Sequence, residues 1–401
     1  MKHKIHIFLL FCAVLNAQES ELLSQEKQKL LNEQKNEYEA ASQKLKYNWI
    51  APLNIGASYS YDKSANDTYG DVKKAGASIS QDIYRSGGIE SQVAYANEYK
   101  NANSIKLKKD IASLNLDLYT AILNHKKIEY ELEQSNIKLK NHDIEIFIKQ
   151  KLYEAGKSDI TELNNALMSR IAEQKIYTTL EYNLKKQRIE IAKISDIDLR
   201  GFEIGSFELV DKDEYVKNSL DILYDNAQRK IYAHLYDTTK SSYLPYVSIN
   251  TQAGYMDYTP RGSSLSYGYD GSYYSAGVSV NIPLTYNASY VKEEARASYM
   301  KQLHITNDDI RAKEAIYKQS KELIQSYKNH IAITQKNINF YDEIIKVLEA
   351  QVQSGTKSKY DLDTLKNTRA IEEYNIRINE LDIETELSKL YFSINTRKDK
   401  R

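Results

Sequence analysis

The chain of 401 residues contains one cysteine, four prolines and 14 glycines, and each low count limits the structures it can form. A single cysteine, Cys12, excludes a disulfide within the chain and a site built from several thiolates. Beyond residue 17, no stretch approaches the roughly 18 apolar residues of a membrane-spanning helix. Acidic and basic residues number 55 each and alternate along the chain. We therefore predict solvated helices, without a basic face for nucleic acid.

The N-terminus has the pattern of a secretory signal peptide. Two lysines precede an apolar run at residues 7–15, which is too short to span a bilayer. We predict a signal peptide over residues 1–17, with cleavage after Ala17. The alternative is a lipoprotein acylated at Cys12, but Phe11 stands where such a signal normally requires a small residue. The mature chain is thus predicted to be exported and to carry no lipid.

Helix-breaking residues are confined to a few places. The prolines fall in two short windows, at Pro52 and at Pro245, Pro260 and Pro283. Between Gly88 and Gly201 the only glycine is Gly156, and between Gly277 and the C-terminus the only one is Gly355. A lone glycine between long helical patterns marks a helix end or tight turn. We predict two helical hairpins that turn near residues 156 and 355.

Both hairpins carry a heptad seam, in which apolar or uncharged positions recur at steps of three and four. The first seam is Ile111, Leu114, Leu118, Ala121, His125, Ile128, Leu132, Ser135, Leu139, His142 and Ile146. The second is Tyr317, Ser320, Ile324, Tyr327, Ile331, Thr334, Ile338, Tyr341, Ile345, Leu348 and Val352. These seams predict left-handed coiled coils. The helices would cover residues 89–155 and 289–354, each about 100 Å long, with returning helices at about 160–193 and 360–392.

Two windows, at about 52–84 and 245–285, alternate as strand pairs. One face is apolar, while the other carries Ser, Asn, Gln and Gly in place of the Lys and Glu of a soluble sheet. This alternation, at about ten residues per strand, is typical of a transmembrane barrel. Aromatic residues cluster at the strand ends, where a membrane-interface girdle would lie, although Tyr is enriched in any sheet. The interface candidates are Trp49, Tyr84, Tyr246 and Tyr286.

The two halves of the chain align with each other. Residues 75–79 match residues 276–280, which indicates a duplication with a first repeat at 18–215 and a second at 216–401. Each repeat would be helix, strand, strand, long helix, turn, helix. Four strands cannot close a membrane barrel, since about eight is the smallest workable number. The chain must therefore oligomerise, and three copies would give a 12-stranded barrel continuous with a 12-helix tunnel.

The order and spacing of several short segments resemble the TolC-type outer-membrane efflux proteins over essentially the whole mature chain. These segments are residues 80–88, 152–156, 159–163, 353–355 and 360–362. The resemblance implies a trimeric channel in the outer membrane with a long periplasmic extension. Its tip would dock a periplasmic adaptor protein that is linked to an inner-membrane pump. The residues expected at that tip are Gly156, Lys157, Gly355 and Lys357.

The resemblance also implies a tunnel constriction lined by carboxylates six residues after each tip glycine. Those positions hold Glu162 and Asp361. A further acid expected nine residues after the second glycine is replaced by Thr364, with Asp363 one residue earlier. Rings of acids set cation preference in pores. The alternative interpretation is helix capping, because acids near a helix N-terminus are favoured by the helix dipole.

No motif indicates an enzyme, a metal site or a cofactor. His125 and His142 fall on the first seam, but without a partner at metal-ligand spacing they are predicted to be polar coiled-coil positions. The loop at residues 62–67 begins like a calcium loop but lacks its later Gly and Glu. The resemblance implies the exit duct of a tripartite efflux or type I secretion system. The alternative is an exported coiled-coil fibre or adhesive protein without a transport role.

Overall fold

The computed structural model describes residues 22–63, 69–199, 205–261 and 268–395. The predicted signal peptide, with Cys12, lies outside these ranges. The described chain is mainly helical and has one four-stranded antiparallel sheet, which confirms the prediction of a mainly helical fold with a small β part. No helix in the described ranges is both long enough and apolar enough to cross a membrane.

The elements follow one another in a repeated order. They are α1 (Gln25–Tyr47), β1 (Asn54–Lys63), β2 (Tyr69–Tyr84), α2 (Gly88–Glu154), α3 (Ile160–Ala192), α4 (Lys212–Asn218), α5 (Leu220–Ser241), β3 (Tyr246–Arg261), β4 (Tyr269–Asn281), α6 (Ala288–Gln353) and α7 (Lys359–Phe392). The short helix α4 was not anticipated from the sequence, and the repeat boundary at 215/216 falls inside it. Its N-cap is Asp211, whose side chain accepts a hydrogen bond from the Asp213 amide.

Two compact units can be distinguished, and each combines segments from both halves of the chain. The first comprises residues 22–33, 107–222 and 310–395. Every position of both predicted seams is buried or half-buried there. A cluster of Tyr119, Leu123, Phe207, Ile324 and Leu387 joins α2, α6 and α7. Apolar contact therefore holds these long helices together, as expected for helices whose stability comes from packing of one face.

The second unit, residues 34–106 and 223–309, contains the sheet in the order β1-β2-β3-β4. Its register aligns Ile55 with Ala77, Ala77 with Ala253, and Ala253 with Tyr274. Since side chains alternate between faces along each strand, the register brings all four apolar patterns to one face. We call this the apolar sheet face: Ile55, Ala57, Tyr59, Tyr61, Ala75, Ala77, Ile79, Val247, Ile249, Thr251, Ala253, Tyr255, Tyr274, Ala276, Val278 and Val280.

One strand ends earlier than the alternation suggests. The pattern extends through Ile282 and Leu284, but β4 ends at Asn281. Pro283 has no amide hydrogen to donate to a strand ladder, which accounts for the early end. The side chains of Ile282 and Leu284 are nevertheless exposed, that of Leu284 by 91%.

Candidate functional site

The first hairpin turns at Gly156, which adopts the left-handed conformation with φ of 67°. Its amide donates to the carbonyl of Tyr153 at 2.9 Å, and the Lys157 amide donates to the carbonyl of Leu152 at 2.8 Å. These two bonds form a Schellman motif, which ends helices at a glycine because other residues are strained at positive φ.

The second hairpin ends in the same way. Gly355 has φ of 73°, its amide donates to Val352, and the Thr356 amide donates to the carbonyl of Gln351 at 2.9 Å. The side chains of Asp159 and Ser358 then cap the returning helices. The tip glycines therefore occupy matching positions, and each is followed within two residues by an exposed lysine, Lys157 or Lys357.

The predicted constriction residue Glu162 lies in the first turn of α3 and is exposed. Its Oε2 atom accepts hydrogen bonds from Lys149 Nζ at 2.6 Å and from Ser158 Oγ at 2.8 Å. The hydrogen bond from Lys149 lowers the pKa of Glu162, and the bond from Ser158 and the lysine charge lower it further. The carboxylate is thus charged but directly paired with a cation.

Asp361 has different surroundings. It lies in the first turn of α7 and is exposed. Within the described residues, no hydrogen bond or ion pair reaches its carboxylate. The tip turns are 199 residues apart, and at that offset Leu348 stands in the place of Lys149, and Lys357 in the place of Ser158. The two predicted constriction acids are therefore equivalent in position but not in electrostatic environment.

An ion pair closes each hairpin at the same place. Arg170 Nε contacts Asp143 at 2.6 Å in the first, and Arg369 Nε contacts Asp342 at 2.5 Å in the second. Arg369 follows Arg170 by 199 residues, and Asp342 follows Asp143 by the same number. The side-chain contacts thus follow the same offset as the two turns.

Contacts between α2 and α7 join the two hairpins side by side. They recur about every seven residues: Lys127 with Asp382 at 2.7 Å, Gln134 with Asn375 at 2.7 Å, Asn141 with Asn367 at 2.8 Å, and Phe147 with Tyr360 at a ring distance of 5.1 Å. Because α3 packs on α2 and α6 packs on α7 within the hairpins, the lateral order is α3, α2, α7, α6.

The outer two helices of this order expose apolar side chains, which we call the α3 stripe and the α6 stripe. The α3 stripe is Ile160, Leu167, Met168, Ile171, Tyr182 and Ile189. The α6 stripe is Ile316, Leu323, Ile333, Phe340, Ile344 and Val347, with several members seven residues apart. Phe340 is 64% exposed. Exposed apolar side chains aligned along a helix in this way indicate an interaction surface.

The predicted interface aromatics gather at one end of the sheet. Tyr84 and Tyr246 end β2 and begin β3 there, while Tyr286 follows β4 and is fully exposed. The Trp49 carbonyl accepts a hydrogen bond from the side chain of Gln81, near the same end of β2. The Arg85 guanidinium lies 5.6 Å from the Tyr246 ring centre. This arrangement places aromatic and cationic groups beside the apolar sheet face.

A groove of about 1360 Å³ in the first unit contains His125, which is 6% exposed. Arg188 Nε donates to His125 Nε2 at 3.1 Å, and Glu129 lies 3.7 Å from Nδ1. Burial lowers the pKa of His125; Glu129 opposes this, while the charges of Arg188 and Lys126 reinforce it. His142, by contrast, is half-buried beside Glu145. In the ranges the structure describes, no three His, Cys, Asp or Glu side chains are grouped to hold a metal ion.

Replacing His125 with Gln is expected to reduce the loss of stability on acidification. The folded-state pKa of His125 lies below the unfolded value of about 6.5. The neutral ring therefore makes its full contribution to folding stability above about pH 6.5. This contribution is lost as the pH falls towards the folded-state pKa. Guanidinium unfolding midpoints at about pH 7.5 and about pH 5 give the measurement. An equal acid-induced decrease in both proteins would contradict this role.

Residues 46–195 match the family model described as outer membrane efflux protein. A search of curated protein sequences finds no significant match.

Solved structures share the fold across nearly the whole chain. VceC, an outer membrane protein of Vibrio cholerae, is 14% identical with a TM-score of 0.72, covering 94% of this chain and 96% of its own. The CmeC outer membrane channel of Campylobacter jejuni is 15% identical with a TM-score of 0.65, covering 95% and 86%. The MtrE outer membrane channel of Neisseria gonorrhoeae is 13% identical with a TM-score of 0.65, covering 91% and 85%. The chain therefore resembles the TolC-type outer-membrane efflux proteins, in sequence pattern over residues 46–195 and in fold over nearly its full described length.

Proposed function

We propose that the chain is one protomer of a homotrimeric outer-membrane channel. It would serve as the exit duct of a tripartite efflux or type I secretion system. The observation that carries this proposal is the lateral helix order, in which only α3 and α6 present an unpartnered apolar stripe. An open row of four helices with apolar outer edges closes into a ring when the edges of neighbouring copies meet.

The closing contact would pair the α6 stripe of one protomer with the α3 stripe of the next. α6 ends and α3 begins at the tip, and Ile344 and Leu167 each lie eleven residues from their turn glycine, Gly355 and Gly156. Cysteines at these two positions are expected to cross-link neighbouring protomers. The predicted mature chain contains no cysteine, which gives this experiment a clean background.

The sheet supports the same stoichiometry. Three copies supply twelve strands, and a closed barrel would pair the edge strands β1 and β4 of neighbours. On β3, the apolar sheet face runs from Val247 to Tyr255, eight steps of about 3.3 Å, or about 26 Å. Strands in such barrels tilt by about 35–45°, so this length spans roughly 19–22 Å of the apolar band, which is about 25 Å tall. Trp49, Tyr84, Tyr246 and Tyr286 would then lie at one membrane interface.

The matched turns and matched Arg–Asp pairs support descent from a duplicated unit, with repeats at 18–215 and 216–401. They also give the trimer six similar hairpins. We propose that their tips, with Gly156, Lys157, Gly355 and Lys357, face the periplasm and contact an adaptor protein linked to an inner-membrane pump. Export by the signal peptide at residues 1–17 is part of the same proposal.

Replacing both Glu162 and Asp361 with Ala is expected to weaken block by a trivalent cation at least about fivefold and to lower cation selectivity, because carboxylates at a narrow aqueous constriction attract cations. Folding should be preserved, since both side chains are exposed. Single-channel recording in planar bilayers, together with a check of trimer content, gives the measurement.

Two outcomes would contradict the proposal in different ways. If cation block and selectivity are unchanged in the double variant, Glu162 and Asp361 act only at the helix N-termini and do not line the constriction. Purified wild-type chain that forms no conducting trimer would favour the exported fibre or adhesive protein.

A further inference from the structure

We propose that Lys149 sets the charge of the constriction by neutralising Glu162, so that Asp361 provides the only uncompensated carboxylate of each protomer at these two positions. This inference rests on the proposed channel function. Lys149 would then be a further residue that determines cation selectivity, in addition to the two expected acids.

The first observation is the direct pairing of Glu162. Lys149 reaches across from α2 to α3 and donates to Glu162 Oε2 at 2.6 Å, and Ser158 donates to the same oxygen. A short bond between an ammonium and a carboxylate is among the stronger hydrogen bonds in proteins. The lysine side chain is 31% exposed, less than the 51% of its partner, so it is held against the hairpin.

The second observation is the difference between the hairpins. At the offset of 199 residues, Lys149 corresponds to Leu348 and Glu162 corresponds to Asp361. Lys357 and Lys359 flank Asp361 in the sequence, but neither lies within 4 Å of its carboxylate. In the described chain, one acid therefore has a paired cation and its counterpart has none.

The third observation is the place of the lysine on the helix. Lys149 follows Ile146 by three residues, where the first seam would continue. Leu348 follows Ile345 by three and occupies that position in the second seam. Because the second hairpin has an apolar residue there, the hairpin fold does not require a lysine. The charge at position 149 thus alters the tip without being needed for the coiled coil.

The consequence for a trimer is a difference in net charge. With Glu162 compensated, the two rings together carry three uncompensated negative charges instead of six. The field that attracts cations to a pore depends on this net charge and is strong where the aqueous passage is narrow. Lys149 would therefore moderate cation binding at the tip.

The test is single-channel recording of Lys149→Leu, with hexaamminecobalt(III) as the blocking cation. We expect the affinity of block to increase at least about threefold, because three additional carboxylates become uncompensated. The double variant K149L/E162Q restores the original net charge and should return block to the wild-type level. The matched control is Lys151→Gln, which removes a nearby lysine paired with Glu154 rather than with Glu162, and it should leave block unchanged.

A further arm separates this inference from the channel function itself. Asp361→Asn is expected to weaken block. If it does so while K149L behaves as the wild type, the inference about Lys149 is overturned and the channel function stands. If Asp361→Asn also has no effect, the proposed constriction is wrong. An increase in block for K149L that persists in K149L/E162Q would likewise overturn the pairing as its cause.

Discussion

Arginine at Val278 is expected to prevent accumulation of trimers in the outer membrane. Val278 is 70% exposed on the apolar sheet face and pairs with Ile249 on β3. If this face contacts lipid, a cation near mid-membrane costs about 2–4 kcal/mol per protomer, and each trimer carries three. Heat-modifiable trimers counted in an outer-membrane fraction would show the loss.

The matched control is arginine at Ser279, the next residue on β4. It points to the opposite, polar face, where Ser279 Oγ accepts a hydrogen bond from Asn250 at 3.0 Å. Inside a water-filled barrel a cation remains hydrated, so the Ser279 variant should assemble. Equal defects from the two substitutions would mean that the polar face does not line water.

Replacing Phe340 with Glu is expected to leave the protomer folded but to prevent trimerisation. The ring is 64% exposed in the described chain, so folding of the protomer does not depend on its burial. In a closed trimer the ring would be buried at each of the three protomer interfaces, and loss of a buried Phe costs about 3–5 kcal/mol. A charge within the apolar contact adds to that cost. Size-exclusion chromatography with light scattering, performed in detergent, measures the change in mass.

Gln335→Glu provides the matched control for this substitution. Gln335 is exposed on the same helix, away from the α6 stripe, and its side chain makes only a long contact of 3.4 Å with Asn339. The variant adds the same single negative charge and should remain trimeric. A trimeric Phe340→Glu variant would exclude the α6 stripe as the closing contact.

The helical part of the fold could be predicted because its determinants are local. Gly156 and Gly355 mark the turns through the positive φ that glycine tolerates, and the seams repeat over about ten positions each. The apolar face of the sheet followed from the alternation, because a slip of one residue would move every apolar side chain to the other face. Those two periodicities are strong enough in one sequence to identify the mainly helical class.

The pairings at the site could not be predicted in the same way. Glu162 was identified by its position after Gly156, but Lys149 is thirteen residues away on another helix, and several other lysines lie as near in sequence. The stripes of α3 and α6 were also missed, since a helix with two apolar faces shows a blurred periodicity. The early end of β4 depended on one missing amide hydrogen, which side-chain alternation does not reveal.

The sheet also has a kinetic consequence. In the described residues β1 and β4 each pair on one side only, so a newly exported protomer would present two open backbone edges that can pair with any extended chain. If three protomers must meet to close them, the lifetime of these edges increases steeply as the concentration of newly exported chains falls. Slow export would then favour off-pathway strand pairing unless another protein covers the edges. Halving the expression rate should therefore reduce the yield of assembled channel by more than half.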